Sequence, residues 1–432
     1  MMSKNVQPQT GTQPFREKKG RKDQVDQILA ANFLDYAPIS NISVVDKRSQ
    51  IRHEFRQQSY EVANSPVTME LRLGGGDSFI YGPNSYLSFK LKVDQNTAGF
   101  GAGSVLNIFK EAEMKSQNGN EVDRVEEVGL YSLQHIKYTH ESSFVTSGQA
   151  GLVGFEPLFD TGVTTNDRHF VVPLRYILPI FGYPGLLPSS GLTAGSVLRL
   201  TLQDVTTALI EGGAGINSYT ITDPRIVTDE LILTDAFAKR LQLMSARSGP
   251  GLSITWESWY HQQERSAAGT VEVMMANSVS RACRSWGMVR AAPATANTDS
   301  ISALSALGTI TQYQFKLGNL RFPDQRSVDE GEHFANALVA FQQYDKTSGC
   351  ATNLLSYLTN CTNDATSLNA GNKVIATSFE RNHILSLSGV SVNGNRLLRL
   401  NLNKAAADHF VDLFMSYTKH ASIHLDTNLI ST

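Results

Sequence analysis

The sequence predicts an all-β fold of two consecutive eight-stranded jelly-roll β-sandwiches with a few short helices. Its 432 residues exceed what one core fills comfortably and fit two domains of about 180–200 residues each. Both halves contain short strand-like runs separated by irregular Gly-, Pro- and Ser-rich connections, which favours packed antiparallel sheets over a parallel α/β sheet. Charged residues make up 18% and hydrophobic residues 41%, a balance common in β-proteins.

Residues 1–48 are predicted to form an N-terminal arm. Residues 1–24 are polar and lack an apolar period. They contain a basic run made of Arg16, Lys18, Lys19, Arg21 and Lys22. One interpretation of this run is a solvated tail, and the other is an inner-face arm that contacts anionic lipid headgroups, packaged DNA or a neighbouring subunit. The segment from Asp23 to Leu34 has the apolar spacing of a short amphipathic helix, with Val25, Ile28, Leu29 and Phe33.

The first jelly roll is expected over residues 49–247. Alternation of apolar and polar residues predicts its strands, with Gly74–Gly76 ending one strand and Pro179–Gly191 forming a long connection. The predicted strands are Ile51–Phe55, Val67–Leu73, Tyr86–Val93, Ser104–Phe109, His169–Leu174, Ser196–Leu202 and Arg225–Leu233. A helix is predicted at Thr234–Ala246, with Phe237, Leu241 and Leu243 on its inner side.

The second jelly roll is expected over residues 248–432, because Gly249 to Gly251 is the best internal boundary. Its predicted strands are Leu252–Tyr260, Thr270–Met275, Ser285–Arg290, Thr309–Leu317, Val374–Ser378, His383–Val392, Arg396–Asn401 and the closing stretch Ala421–Leu425. Helices are predicted at Phe334–Tyr344 and Ala405–Ser416, and Ser348–Gly371 is predicted to be a polar loop. The two halves share no repeat at the level of residues, so the duplication is an architectural inference.

The sequence contains no motif typical of a catalytic site, so we expect no enzyme activity, no catalytic residues and no cofactor. The metalloprotease, nucleophile-elbow and phosphate-loop motifs are all missing from it. The glycines between Gly99 and Gly103 lie in a polar loop rather than at a strand-to-helix junction, so a dinucleotide loop is the weaker interpretation. The net charge of −2 gives no general electrostatic reason to wrap nucleic acid.

Acidic residues and histidines give one candidate metal cluster, at Asp329, Glu330, Glu332 and His333. We interpret it as a helix N-terminus, where acids face the positive end of the helix dipole, with metal binding as the alternative. His420 and His424 fall on one side of a predicted strand and are interpreted as a structural pair. Glu126 and Glu127 are neighbours that point in different directions, so they fit a solvated surface.

Three cysteines, Cys283, Cys350 and Cys361, are too few for a disulfide framework, which indicates folding in a reducing compartment. Pairing of Cys350 with Cys361 remains the alternative. No window has the apolar core of a signal peptide or the length needed to cross a bilayer.

Several segments resemble the double jelly-roll major capsid proteins of Polinton-like viruses, virophages, large eukaryotic DNA viruses and tailless bacterial viruses. The resemblance is one of apolar spacing and covers about residues 50–430. The segments that carry it are Arg168–Asp204, Asp223–Leu241, Ile310–Gln325, Leu385–Asn403 and Asp412–Asp426. The chain is more compact than the large relatives, which favours a small virus or a virus-like mobile element.

The resemblance implies a major capsid protein that assembles as pseudo-hexagonal homotrimers into an icosahedral shell. Its expected partners are itself, neighbouring trimers, minor capsid and penton proteins, and an internal membrane or packaged DNA reached by the N-terminal arm. Its expected location is the virion, after synthesis and assembly inside the host cell. The alternatives are another virion structural protein, such as a spike or minor capsid protein, and a carbohydrate-binding β-sandwich. The latter should carry paired acids and clustered exposed Trp, whereas the chain has three Trp.

Overall fold

The computed structural model describes most of the chain from Val45 onward, with gaps in several loops. The described residues are 45–74, 78–95, 98–100, 104–145, 153, 163–189, 192, 195–211, 216–247, 252–266, 269–291, 310–344, 350, 374–380, 389–394, 396–404, 409–424 and 429–431. The N-terminal arm with its basic run and predicted helix, the loop at 351–371 and the glycines at 101 and 103 lie outside them. Among the helices described here, none combines the length and the apolar character needed to cross a bilayer.

Strands dominate the first half of the chain. Its strands are β1 (Val45–Glu54), β2 (Ser59–Val62), β3 (Val67–Arg72), β4 (Ser78–Val93), β5 (Ala98–Gly99), β6 (Phe109–Lys115), β7 (Glu121–Glu126), β8 (Arg168–Pro173), β9 (Leu186–Pro188), β10 (Val197–Leu202), β11 (Ile210–Glu211) and β12 (Tyr219–Leu233). Its helices are α1 (Val128–Thr139), α2 (Ser142–Val145), α3 (Val205–Ala208) and α4 (Asp235–Arg247), with 3₁₀ turns at Val105–Ile108, Leu174–Tyr176 and Pro179–Gly182.

The second half is built in the same way. Its strands are β13 (Leu252–Ser266), β14 (Gly269–Met275), β15 (Val279–Ala291), β16 (Ile310–Leu317), β17 (Leu320–Ser327), β18 (Ile375–Ser378), β19 (Val390–Val392), β20 (Leu398–Lys404), β21 (His409–His424) and β22 (Leu429–Ser431). One longer helix, α5 (Glu330–Ala340), lies between β17 and β18.

Each half forms one main sheet and one four-stranded sheet, and the order of strands is the same in both. In the first half the orders are β1-β12-β4-β8 and β3-β10-β6-β7. In the second half they are β13-β21-β15-β18 and β14-β20-β16-β17. The principal strands are the eight in these orders, which leaves out β2, β5, β9 and β11 in the first half and β19 and β22 in the second. Numbered one to eight along the chain, the principal strands of both halves have the orders first-eighth-third-sixth and second-seventh-fourth-fifth. This is the jelly-roll arrangement, and the chain contains it twice.

Smaller strands extend the same symmetry. In the first half β9 pairs with the third principal strand β4, and in the second half β19 pairs with the corresponding strand β15. Each half also inserts a helix between its fifth and sixth principal strands, α1 in the first and α5 in the second. Among the described residues every strand pairs within its own half. The domain limits at residues 48 and 247 stay a prediction.

The apolar face of each sheet follows from the alternation in the sequence. In β10 the side chains of Leu198, Leu200 and Leu202 are fully buried, and Arg199 between them is exposed. Leu200 lies opposite Met69 of β3 and Ala112 of β6, so three neighbouring strands bury one row of side chains. Since successive side chains of a strand point to opposite faces, this row packs against the main sheet.

Two predictions of secondary structure were wrong. Residues 105–108, predicted as strand, form a 3₁₀ turn that the Ser104 hydroxyl caps by accepting a hydrogen bond from the amide of Leu106. The predicted final helix Ala405–Ser416 is largely the start of β21. In β21 the side chains from Val411 to Tyr417 are all buried, because this central strand is covered on both faces. Because both faces are buried, the apolar residues of this stretch do not alternate with polar ones, and it was mistaken for a helix.

Helix α4 was predicted correctly in position, but one of the three residues placed on its inner side was wrong. Its bounds, Asp235–Arg247, agree with the predicted Thr234–Ala246. Leu243, however, was placed on the inner side, and its side chain is 59% exposed. Phe237 and Leu241 are half-buried.

Candidate functional site at the junction of the two sandwiches

Helix α1 lies between the two halves of the chain and was not predicted from the sequence. Ten of its twelve residues are buried, so it has little of the polar face that marks a surface helix. Gly129 permits its close approach to the 3₁₀ turn, since a Cβ there would lie 2.7 Å from the carbonyl oxygen of Leu106. The Ser132 hydroxyl donates a hydrogen bond to the backbone oxygen of Tyr176. These contacts attach α1 firmly to the first sandwich.

The opposite side of α1 packs on aromatic residues of the second sandwich. The Tyr131 ring stacks on Trp259 with 3.6 Å between ring centroids and 4° between planes. Its hydroxyl lies 2.8 Å from the Ser416 hydroxyl, and both groups are buried. Further along the helix, the ring of Tyr138 stacks on Phe341 at 4.9 Å. The helix therefore joins the two sandwiches through a dry, aromatic contact.

A buried carboxylate beside α1 makes a second set of contacts between the halves. Asp123 of β7 is fully buried and accepts hydrogen bonds from the Trp256 indole at 3.1 Å and the Ser258 hydroxyl at 2.8 Å. The amide of Ile180 donates a third, at 3.3 Å. The Lys419 ammonium lies 3.9 Å from the carboxylate. Burial raises the pKa of Asp123, while Lys419 and the three donors act in the opposite direction.

A cavity of about 450 Å³ opens next to this junction. Residues from both halves line it, among them His135, His140, Tyr176 and Glu257. The Tyr176 hydroxyl lies 2.9 Å from Nε2 of His140, and Arg175 donates to that hydroxyl at 3.1 Å. Burial, helped by nearby cations, lowers the pKa of His135 to about 3 and that of His140 to about 4. Both imidazoles are therefore neutral at pH 7.

The described lining of this cavity does not contain the pair of carboxyl groups that glycosidases use. Glu257 is the one carboxylate among its described lining residues, and it forms a short ion pair with Arg284 at 2.6 Å. Hydrolysis of glycosides generally uses two carboxyl groups that face each other across the bond to be cleaved. The three tryptophans, Trp256, Trp259 and Trp286, are all buried. The described residues thus assemble neither the paired acids nor the exposed Trp cluster of the carbohydrate-binding alternative.

The structure shows the surroundings of several residues that the sequence analysis had selected. Asp329 caps α5, its carboxylate accepting from the amide of Gly331 at 2.7 Å, so the acidic cluster is a helix N-terminus as predicted. His333 is buried, with Nε2 at 3.3 Å from the backbone oxygen of Ser327. Within the part of the chain that is described, no three His, Cys, Asp or Glu side chains form a group suited to a metal ion.

Other singled-out residues have structural roles. His420 lies on β21, as predicted, within 2.9 Å of the Ser253 hydroxyl. Glu126 is exposed, in agreement with a solvated surface. Cys283 is a buried thiol whose pKa is raised to about 11 by burial. Cys361 lies outside the described residues, so its pairing with Cys350 stays open. Arg16, Lys18, Lys19, Arg21 and Lys22 also lie outside them.

Sequence reasoning missed Asp123 and Tyr131, the two residues that carry the junction. The signal for Asp123 was its position between Val122 and Val125 in a short strand, where an acid on the buried side needs partners. Those partners come mainly from a part of the chain more than 130 residues away, so no local pattern shows them.

Comparison with known proteins supports the fold directly. No family model matches the sequence, and no curated protein matches it either. Among solved structures, VP54 of PBCV-1, fitted into a cryo-EM reconstruction of the virophage Sputnik, has a TM-score of 0.58 and 10% identity, over 92% of this chain and 98% of VP54. The quasi-atomic model of the PBCV-1 virus capsid gives the same values. The Faustovirus major capsid protein has a TM-score of 0.54 and 9% identity, over 93% of this chain and 97% of its own. The predicted double jelly roll is confirmed.

Proposed function

We propose that this chain is a viral major capsid protein that acts by self-assembly and not by catalysis. The observation that carries the proposal is the duplicated strand order, first-eighth-third-sixth and second-seventh-fourth-fifth, in two successive sandwiches. Two capsid structures share the fold over more than nine-tenths of this chain. Likeness over the full length of both proteins supports a common architecture of the whole subunit rather than of one shared domain.

The junction between the sandwiches supports this role, because a subunit that packs regularly in a shell needs a fixed distance between its two lobes. The stack of Tyr131 on Trp259 and the buried carboxylate of Asp123 connect the lobes through contacts that exclude water. Buried, fully partnered polar groups resist displacement, since each one left unpaired costs about 1–3 kcal/mol. The two lobes therefore behave as one rigid unit during assembly.

We infer that three such units form a homotrimer. Two sandwiches per chain give six lobes around a threefold axis, a shape that tiles hexagonal positions of an icosahedral shell. Contacts between subunits of a closed cyclic oligomer are large and apolar. Large apolar side chains are exposed in both sandwiches, among them Ile51 at 39%, Leu320 at 44% and Val328 at 66%. Burial of such side chains against copies of the chain would favour the trimer.

The remaining parts of the proposal concern loops and the arm. Ser348–Gly371 forms an outer tower or a clasp between subunits. Asn96–Gly103 and Gly185–Ala194 were expected to do the same, but they contain β5 and β9, and Ala98 and Leu187 are fully buried, so these parts of the two segments belong to the sandwich. The arm faces inward, where its basic run meets anionic headgroups or packaged DNA, and minor capsid and penton proteins complete the shell. The protein is made and assembled inside the host cell and resides in the virion.

Electron microscopy and sedimentation of the purified recombinant chain test the proposal. Flat, pseudo-hexagonal particles with a mass three times that of the chain are expected. A second virion role, as a spike or minor capsid protein, would instead give elongated particles or particles without the six lobes. A stable monomer that binds glycans on an array would contradict the capsid proposal and favour a carbohydrate-binding sandwich.

A further inference from the structure

Helix α4, which connects the two sandwiches, is only partly covered by the described residues, with Phe237 and Leu241 half-buried. None of its side chains that the structure describes is buried, and Leu243 is 59% exposed. The helix has 13 residues. Isolated helices shorter than about 12–15 residues are marginal in water, and most helices in proteins are stabilised by packing of an apolar face. A further segment that covers the exposed face would therefore stabilise α4.

The outward face of α4 combines an apolar centre with basic neighbours. Lys239 and Arg240 precede Leu243 by four and three positions, so the three side chains lie on one side of the helix. All three are exposed. A partner that suits this face is a short apolar stripe flanked by acids.

The N-terminal arm joins strand β1 next to the start of this helix. Val45, the first residue of β1, pairs with Leu233, the last residue of β12. Asp235, the first residue of α4, follows Leu233 by two positions. The chain therefore leaves the first sandwich towards its N-terminus next to the place where α4 starts.

The sequence of the arm fits the exposed face of α4. The segment 23–34 contains two acids, Asp23 and Asp26, and no basic residue. Its predicted apolar side consists of Val25, Ile28, Leu29 and Phe33. An acidic, apolar helix is complementary to a basic helix that exposes Leu243, both in charge and in hydrophobicity.

The connection between the two segments is long enough. Ten residues, 35–44, separate the segment from β1. When extended they span up to about 33–36 Å, whereas α4 is about 20 Å long. A linker of this length holds the segment at an effective concentration in the millimolar range near the helix. Docking within the same chain therefore needs only a weak intrinsic affinity.

We propose that residues 23–34 dock on the outward face of α4 in the same chain, with Asp23 and Asp26 facing Lys239 and Arg240. This inference does not depend on the capsid role. It places the basic run at 16–22 close to α4, the connection between the two sandwiches.

Hydrogen exchange of the α4 amides tests the docking. In the full chain these amides are expected to exchange slowly, and deletion of residues 1–34 should accelerate them at least tenfold. The double substitution Ile28→Asp with Leu29→Asp should have the same effect. A synthetic peptide of residues 20–36 added to the shortened chain should restore protection. Deletion of residues 1–22 alone is the matched control and should leave α4 protected, and the amides of α1 should stay unchanged throughout.

Charge reversal tests the orientation. Asp23→Lys with Asp26→Lys should accelerate exchange in α4, as should Lys239→Asp with Arg240→Asp, and the four changes together should restore protection. Exchange in α4 that is unaffected by deletion of residues 1–34 would overturn the proposal. Protection that disappears on dilution would assign the face to a second copy of the chain. Protection that requires phosphatidylserine vesicles would assign it to a membrane.

Discussion

Tyr131 and Trp259 lie face to face across the junction of the two sandwiches, with ring centroids 3.6 Å apart. Tyr131 belongs to a helix of the first half and Trp259 to the first strand of the second. The position of one lobe relative to the other thus depends on a few side chains that act together with Asp123. Those side chains are accessible to mutation.

Tyr131→Ala is expected to destabilise the protein by about 3–5 kcal/mol, because it removes a buried ring and leaves a cavity between the lobes. Tyr131→Phe keeps the stack and loses only the hydrogen bond to Ser416, so a loss of about 1 kcal/mol is expected. Urea unfolding followed by Trp fluorescence measures both. Equal losses for the two variants would show that the stack contributes nothing.

Asp123→Ala is expected to cost about 3–5 kcal/mol, since it leaves the donors of Trp256, Ser258 and Ile180 without their acceptor, at about 1–3 kcal/mol for each unpaired group. Glu126→Ala, on the exposed side of the same strand, is the matched control. The Glu126 side chain forms a surface ion pair with Arg124, and its backbone oxygen, which accepts from the Trp259 indole, is kept in the variant, so the loss should be less than about 1 kcal/mol. The comparison uses the midpoint of urea unfolding, and similar midpoints for both variants would refute the role of Asp123.

Gly129→Ala is expected to destabilise α1 by about 1–3 kcal/mol. Its Cβ would lie 2.7 Å from the oxygen of Leu106 and 2.8 Å from Cα of Asn107, and both atoms belong to the backbone. Gly394→Ala is the control, because a Cβ there meets no atom within 4 Å. Thermal unfolding of the control should stay close to that of the parent. A Gly129→Ala protein with an unchanged melting temperature would mean that α1 has room to shift.

His135 is expected to make the free energy of unfolding depend on pH below about 6.5. Its pKa is lowered by burial from the ordinary 6.5 to about 3. Between these two values the unfolded chain binds a proton that the folded chain does not, so stability falls as the pH drops, by up to about 1.4 kcal/mol per pH unit. His135→Phe should flatten this decline in urea titrations at pH 7, 6, 5 and 4.

Tyr131→Phe, which keeps the imidazole, serves as the control for that experiment. It should lower stability by a similar amount at each pH and preserve the slope. If His135→Phe leaves the slope unchanged, the acid sensitivity arises elsewhere in the chain.

Deletion of residues 1–24, which removes the basic run, should leave trimers intact and impair shell formation. The reason is that the first strand of the sandwiches, β1, begins at Val45, so the deletion removes none of the described strands. Sedimentation measures the trimer and electron microscopy counts the shells. Failure of the shortened chain to form any trimer would contradict an inward-facing arm.

The sequence predicted most strands whose two faces differ. In β3 and β10 one face is buried and the other is exposed, so the alternation of Met69 and Leu71, or of Leu198 and Leu200, is visible without a structure. The prediction from sequence failed for elements that are buried on both sides. β21 was predicted in part as a helix, and α1 was missed, because neither has a polar face that would show its period.

The junction was beyond local reasoning for a different reason. Asp123 and Trp256 are 133 positions apart, and neither belongs to a recognisable motif. Leu243 shows the opposite error, since its apolar character was taken as a sign of burial although the side chain is exposed. Composition and period describe one element at a time, whereas a contact between lobes depends on how elements meet.

The two sandwiches have the same strand order but use the helix after their fifth strand differently. α1 is wedged between the lobes, while α5 packs mainly on strand β18 of its own lobe. The two lobes of one chain are therefore not equivalent, because the first lobe contributes the helix at the junction and the second lobe packs against it. In the proposed trimer, lobes of the two kinds would alternate around the axis, so six lobes of similar shape would give threefold and not sixfold symmetry.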